Sequence, residues 1–241
     1  MVSTQRAQWR PPLPWQALLA LVICLAAVLL TGAAYAHNVT EGDAGYVQEV
    51  TGFRPFSFIY LGAKHMMTGY DHLLFLAGVI FFLYRAKDIA IYVSLFAIGH
   101  SVTMIAGVWW SIAINPFIID AIIAFSVVYK ALDNLGAFRL WFGVQPDTKA
   151  ATLVFGLLHG FGLATKIQDY DMSTDGLLGN LIAFNVGVEI GQLLALALIL
   201  LAMNQWRTRP AFARQAYTAN VLMMVAGFAL MGFQITGYFV A

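Results

Sequence analysis

A series of apolar runs constrains this chain most, because several of them exceed the ~18 residues that mark a membrane-spanning helix. Hydrophobic residues make up 61% of the 241 residues and charged residues only 10%, whereas a soluble domain carries about 25% charged residues. Backbone polar groups inside a bilayer must be satisfied within the protein, so the runs are predicted to be helices. The sequence therefore predicts an all-α, polytopic membrane protein that is surrounded by the lipid bilayer.

The first 36 residues have two interpretations. An apolar run at 15–30 follows two arginines and precedes the small-residue triplet AYA at 34–36, which is the layout of a secretory signal peptide. Cleavage after Ala36 is the favoured interpretation, and a retained first transmembrane helix is the alternative. The polar, acidic stretch at 37–56 is then predicted to be a periplasmic segment.

Residues 57–241 are predicted to form a bundle of six transmembrane helices. Lysine and arginine are concentrated in alternate loops, and the positive-inside rule places those loops in the cytoplasm. The expected location is the bacterial inner membrane, with the C-terminus in the periplasm. The formal net charge of +1 indicates no nucleic-acid partner. The predicted spans are 57–84, 88–110, 116–134, 150–166, 176–204 and 215–240.

Ionisable residues occur at matching depth on four of these spans. Counted from the span centres, His72, His100, His159 and Glu189 all lie within about one helical turn of the bilayer midplane. Such groups are costly to place in hydrocarbon and usually mark an ion or substrate pathway. Three imidazoles and a carboxylate are a suitable ligand set for a divalent transition metal such as nickel, zinc or copper. The four residues are therefore predicted to form one midplane metal site.

Further polar residues are predicted to surround this site. Seven residues advance a helix by ~10.5 Å and nearly two turns, so His65 would share a face with His72 and contribute a ligand nearer the outer side, where Asp120 also lies. Asp71, about 100° from His72 around the helix, is a candidate metal-site carboxylate and is predicted to orient a histidine on a neighbouring helix. The remaining pathway candidates are Ser101, Asn185 and Gln192.

Four motifs in the chain resemble those of the HupE/UreJ family of nickel-permease-like membrane proteins. They are His65 followed after five residues by Asp71-His72, GHS at 99–101, FGLLHGFG at 155–162 and FNVGVEIGQ at 184–192. The resemblance covers nearly the whole chain after residue 55, and it implies six helices after a signal peptide. No glutamate follows His159 within its helix, unlike in the better-studied nickel permeases, so the chain is more similar to a second, less characterised branch.

Three functions remain open at this point. The favoured one is a permease for a nickel-like divalent cation. In the second, the chain is an accessory or structural subunit of a membrane complex, and the histidines hold a fixed metal or a proton path. In the third, a zinc ion near Ser101 activates water in an intramembrane hydrolase. The chain has neither a His-Glu-x-x-His nor a Gly-x-Ser-x-Gly motif, which favours transport or metal binding over catalysis.

Overall fold

Helices form the regular structure of this protein, seen in a computed structural model that describes residues 51–112, 114–168 and 174–240. These ranges contain eight helices and no strand, as the predicted all-α class requires. The predicted signal peptide and most of the predicted periplasmic segment lie outside the described residues. The helices are α1 (Pro55–Thr68), α2 (Tyr70–Ile80), α3 (Ala86–Trp109), α4 (Pro116–Asn134), α5 (Ala137–Phe142), α6 (Thr148–Gln168), α7 (Leu177–Arg207) and α8 (Phe212–Val240).

Four of the described helices, α3, α6, α7 and α8, are long and apolar enough to cross a membrane. Large apolar side chains such as Leu193, Leu198 and Leu201 stand exposed on the outer face of α7, where lipid rather than water would be the suitable neighbour. α4 has 19 residues and is also largely apolar, but it carries three charged residues, Asp120, Lys130 and Asp133. The chain is thus a helical membrane protein.

The first predicted span is divided into two helices. The sequence analysis predicts one continuous helix over 57–84, but α1 ends at Thr68 and α2 begins at Tyr70. Gly69 between them has φ −73° and ψ 100°, an extended conformation. Interrupted helices in membrane proteins typically line binding sites, where the freed backbone groups are covered by protein or face a cavity. The break therefore falls within the segment that carries His65, Asp71 and His72.

Three close helix pairs build the bundle: α1 with α7, α3 with α6, and α4 with α8. Glycine allows the backbones of paired helices to approach closely. A Cβ atom at Gly160 of α6 would overlap the carbonyl oxygen of His100 in α3, and one at Gly187 of α7 would overlap that of Ile59 in α1. The close packing of α3 and α6 holds His100 and His159 near each other.

The short helix α2 is mostly buried and contacts α3, α4, α7 and α8. Its C-terminal end is held by polar side chains of two neighbouring helices. Arg207 of α7 donates to the carbonyl oxygens of Ile80 and Phe81 at 2.6 and 2.9 Å. Asn134 of α4 donates to the carbonyl oxygen of Gly78 at 2.9 Å. These side chains add donors at the end of α2, where the carbonyl groups of Gly78 and Ile80 also accept the backbone N–H groups of Phe81 and Leu83.

Hydrogen bonds also show which helix ends meet. The backbone N–H of Arg54 donates to the Asn180 side chain at 2.8 Å, so α1 and α7 begin at the same end of the bundle. The Gln168 side chain donates to the carbonyl oxygen of Ile112 at 3.2 Å, so α3 and α6 finish together. At the opposite end, Arg207 joins the ends of α2 and α7. α1 and α2 together therefore traverse the bundle once, alongside α7.

Candidate metal centre

Three histidines from separate helices converge at the break between α1 and α2. His65 is in the last turn of α1, His72 in the first turn of α2, and His100 near the middle of α3. One ring nitrogen of each can be chosen so that all three atoms lie within 4.8 Å of one another. Ligands on opposite sides of one zinc-sized cation are ~4 Å apart, so this histidine triad (His65, His72 and His100) is close to the dimensions of a metal site.

The break at Gly69 is what brings His65 and His72 together. On a continuous helix these residues would be ~10.5 Å apart along the axis, but their ring centroids are 5.2 Å apart. The sequence analysis expects His65 at a separate level nearer the outer side, and the structure differs from that expectation. His65 lies in the same cluster as His72.

Asp71 fixes the orientation of the adjacent His72 ring. The Asp71 Oδ1 atom accepts the backbone N–H of His72 at 2.8 Å and its ring Nδ1–H at 3.0 Å. A carboxylate accepts hydrogen bonds, so the Nδ1 atom carries the proton and the Nε2 atom carries the lone pair. This is the usual arrangement behind a metal-binding histidine. Asp71 thus orients the histidine next to it in the sequence, whereas the sequence analysis predicts this role toward a histidine on a neighbouring helix.

His100 and His159 complete the polar interior. His100 is fully buried, and neither of its ring nitrogens has a hydrogen-bond partner among the described residues. A buried polar group without a partner is costly, and a bound cation would relieve that cost. His159 of α6 donates from Nδ1 to the carbonyl oxygen of Phe155 at 2.7 Å, which leaves its Nε2 atom as the lone-pair nitrogen. Its ring centroid is 4.9 Å from that of His72, so it lies beside the triad.

Aromatic rings enclose the cluster. Phe96 lies 5.0 Å from His159 and 6.0 Å from His72 between ring centroids, and Phe75 lies 5.5 Å from His159. A small cavity of about 10 Å³ adjoins His72 and is lined in part by Met66, which is room for about one water molecule. The apolar walls keep the local dielectric low, so electrostatic interactions with a cation would be strong.

The structure does not bring Glu189 to the histidines. Glu189 lies on the exposed face of α7, whereas Asn185 and Gln192 of the same helix are buried. A helix has 3.6 residues per turn, so Glu189 is rotated about 40° from Asn185, away from the buried face. Asn185 donates to the carbonyl oxygen of Leu181 within α7 at 3.0 Å. Gln192 donates to that of Val93 in α3 at 3.2 Å, so it links two helices.

The other pathway candidates have different surroundings. Asp120 is buried and forms an ion pair with Lys166 of α6, whose Nζ atom is 2.7 Å from Asp120 Oδ2. The predicted outer carboxylate is therefore engaged by a lysine in this structure. Ser101 is half-buried and follows His100 on α3.

Two residues of this centre escape the sequence analysis. Gly69 has no side chain that could bind a metal, and only its position between His65 and His72 indicates a role. Lys166 falls seven residues after His159, on the same face of α6, and that heptad spacing is the signal that could have identified it.

One of three comparisons with known proteins identifies a family. The model of the family described as "HupE / UreJ protein" matches residues 41–241, a range that contains all the residues of the cluster. Neither the comparison with curated proteins nor the comparison with solved structures gave a match.

Proposed function

Because the chain belongs to the HupE/UreJ family, we propose that it is a permease for a divalent transition-metal cation, with the histidine triad as its central binding site. The observation that carries the proposal is the convergence of three imidazole nitrogens within 4.8 Å. His72 and His100 are almost completely excluded from solvent. The metal in this proposal is the transported substrate.

The ligand chemistry favours a nickel-like ion. Neutral imidazole suits nickel, cobalt, zinc and copper, whereas magnesium and calcium prefer oxygen ligands. Asp71 supplies one negative charge next to His72 without occupying its Nε2 atom. A transported ion must also leave its site, so binding must be moderate. A few neutral nitrogens with one adjacent carboxylate meet that requirement better than a cage of thiolates would.

A route through the bundle is part of the proposal. The small cavity beside His72 is also lined by Tyr92 and Thr152, which lie toward the starts of α3 and α6. Lys130 and Asp133 form a buried ion pair near the C-terminal end of α4. On the opposite side of the cluster, the Lys166–Asp120 pair lies between α6 and α4. Polar groups thus continue on both sides of the triad.

We also propose six membrane crossings, in which α1 and α2 together make the first and α4 makes the third. The meeting of helix ends described above supports this count, because successive crossings then alternate in direction. The end of the bundle that contains the C-terminus of α2 carries most of the positive charge, which favours a cytoplasmic location for it. The C-terminus would then be periplasmic in a bacterial inner membrane. The basic residues at that end are Arg85, Lys87, Arg139, Lys149, Arg207, Arg209 and Arg214.

Uptake and binding measurements on the same variants test the proposal. Cells that express the chain are expected to accumulate radioactive nickel or cobalt, and the purified full chain is expected to bind the same ion. His72→Ala is expected to reduce both by about tenfold or more, since loss of an orienting group alone costs 10–100-fold in metal affinity. His37→Ala, at the histidine that precedes the predicted transmembrane spans in the sequence, is the matched control.

The same measurements separate transport from static metal binding in an accessory subunit. An ion that stays bound in equimolar amount through prolonged dialysis against a chelator, with no uptake by cells, would identify a fixed site in an accessory subunit. If the purified chain bound neither cobalt nor nickel at millimolar concentration, the proposed site would be refuted.

A further inference from the structure

We propose that Lys166 is an internal counter-cation that occupies Asp120 and keeps the binding of a divalent cation at the histidine triad weak enough for exchange. This inference rests on the proposed function, and it assigns a role to a lysine inside the bundle. Lys166 and Asp120 are largely buried, with side-chain exposures of 12% and 6%. A buried lysine is costly even when it is paired, so a membrane core does not favour it without a function.

The position of the pair connects it to the triad. Lys166 lies two turns beyond His159 on the same face of α6, and its ammonium group interacts electrostatically with His65, Asp71 and His72. Asp120 in turn interacts with Asp71. Asp71, Lys166 and Asp120 therefore form one charged group against the histidines, with formal charges that sum to −1.

The Lys166–Asp120 ion pair, with its Nζ and Oδ2 atoms 2.7 Å apart, is the part of this charged group that a bound cation would change. A divalent cation at the triad repels the Lys166 ammonium group and attracts the Asp120 carboxylate. Lysine and metal thus compete for the same negative charge, and the lysine returns when the ion leaves.

A charge cycle on the full-length protein tests this inference with Co²⁺ as the probe, titrated into purified protein and followed by calorimetry. Lys166→Met is expected to tighten Co²⁺ binding by on the order of tenfold, because a positive charge near the ion is removed. Asp120→Asn is expected to weaken it by a similar factor. The double variant, Asp120→Asn with Lys166→Met, has the same formal charge as the wild type and is expected to bind with an affinity close to it. Lys166→Arg keeps the positive charge and is expected to bind Co²⁺ with the wild-type affinity.

Further comparisons distinguish a wrong counter-cation role from misfolding of a variant and from failure of the proposed function. If Lys166→Met alone does not fold, adding it to Asp120→Asn must still strengthen Co²⁺ binding relative to Asp120→Asn. If the wild type binds Co²⁺ and His100→Ala abolishes binding, but Lys166→Met changes the affinity less than twofold, the counter-cation role is wrong while the metal site stands. A double variant that binds as tightly as Lys166→Met would also overturn it, because charge would then not be the cause. If no variant binds Co²⁺, both proposals fail.

Discussion

The imidazole rings of His65 and His72, which are seven positions apart in the sequence, lie on either side of Gly69 with their centroids 5.2 Å apart. An unbroken helix would hold them about two turns apart. The extended backbone at Gly69 places both rings at one level, beside His100 of α3. One local backbone conformation therefore decides whether the first crossing offers two separate histidines or two ligands of one site.

Replacement of Gly69 by alanine tests the break directly. The new Cβ atom would lie 2.9 Å from His72 Nδ1 and 3.3 Å from Asp71 Oδ1, so it would disturb the bond that orients the ring. We expect Co²⁺ affinity to fall about 10–100-fold, as for other losses of an orienting group. The measurement is a Co²⁺ titration of the purified variant. Gly232→Ala is the matched control, because its Cβ atom would meet nothing within 4 Å. Equal affinities for the two variants would contradict the role given to Gly69.

Asp71→Asn separates the charge of this side chain from its shape. The amide oxygen can still accept the backbone N–H of His72, but it no longer presents a carboxylate to the ring Nδ1–H, which is 3.0 Å from Asp71 Oδ1 in the wild type. We expect metal affinity to fall about 10–100-fold, with little change in helix content. Binding is measured by titration and helix content by circular dichroism. Unchanged affinity would show that the carboxylate does not support the site.

Glu189→Gln tests a residue that sequence reasoning places among the ligands. Glu189 lies on the exposed face of α7. We therefore expect the variant to bind Co²⁺ with an affinity within about twofold of the wild type. Asp71→Asn, measured alongside it, shows what loss of a functional carboxylate looks like. A tenfold loss in Glu189→Gln would mean that the carboxylate reaches the ion.

Arg207→Gln tests how the C-terminal end of α2 is held. The guanidinium group donates to two carbonyl oxygens of that end, at 2.6 and 2.9 Å, and its charge strengthens both bonds. We expect the free energy of unfolding to fall by about 1–3 kcal/mol, because two hydrogen bonds from a charged donor are lost. Thermal unfolding in detergent measures the change. Arg214→Gln, at an exposed position near the start of α8, is the control and is expected to change little.

Much of this molecule follows from local sequence patterns. The apolar runs identify a helical membrane protein, because a bilayer leaves backbone groups few other ways to be satisfied. Depth counting along those runs selects His72, His100 and His159, since the rise per residue of a helix is constant. These three rings lie close together in the structure, with centroids 5.7 Å apart for His72 and His100 and 4.9 Å apart for His72 and His159.

Rotation about the helix axis and breaks in a helix depend on the whole bundle. Glu189 and Asn185 differ by only about 40° around α7, and which of them is buried depends on where α1 packs against that helix. Gly69 can adopt either helical or extended backbone at little cost, so its neighbours decide between the two. The charges at Asp120 and Lys166 are visible in the chain, but only the packing of α4 against α6 makes them a pair. The predicted ligands belong to periodic patterns, whereas the roles of Gly69 and Lys166 depend on contacts between helices.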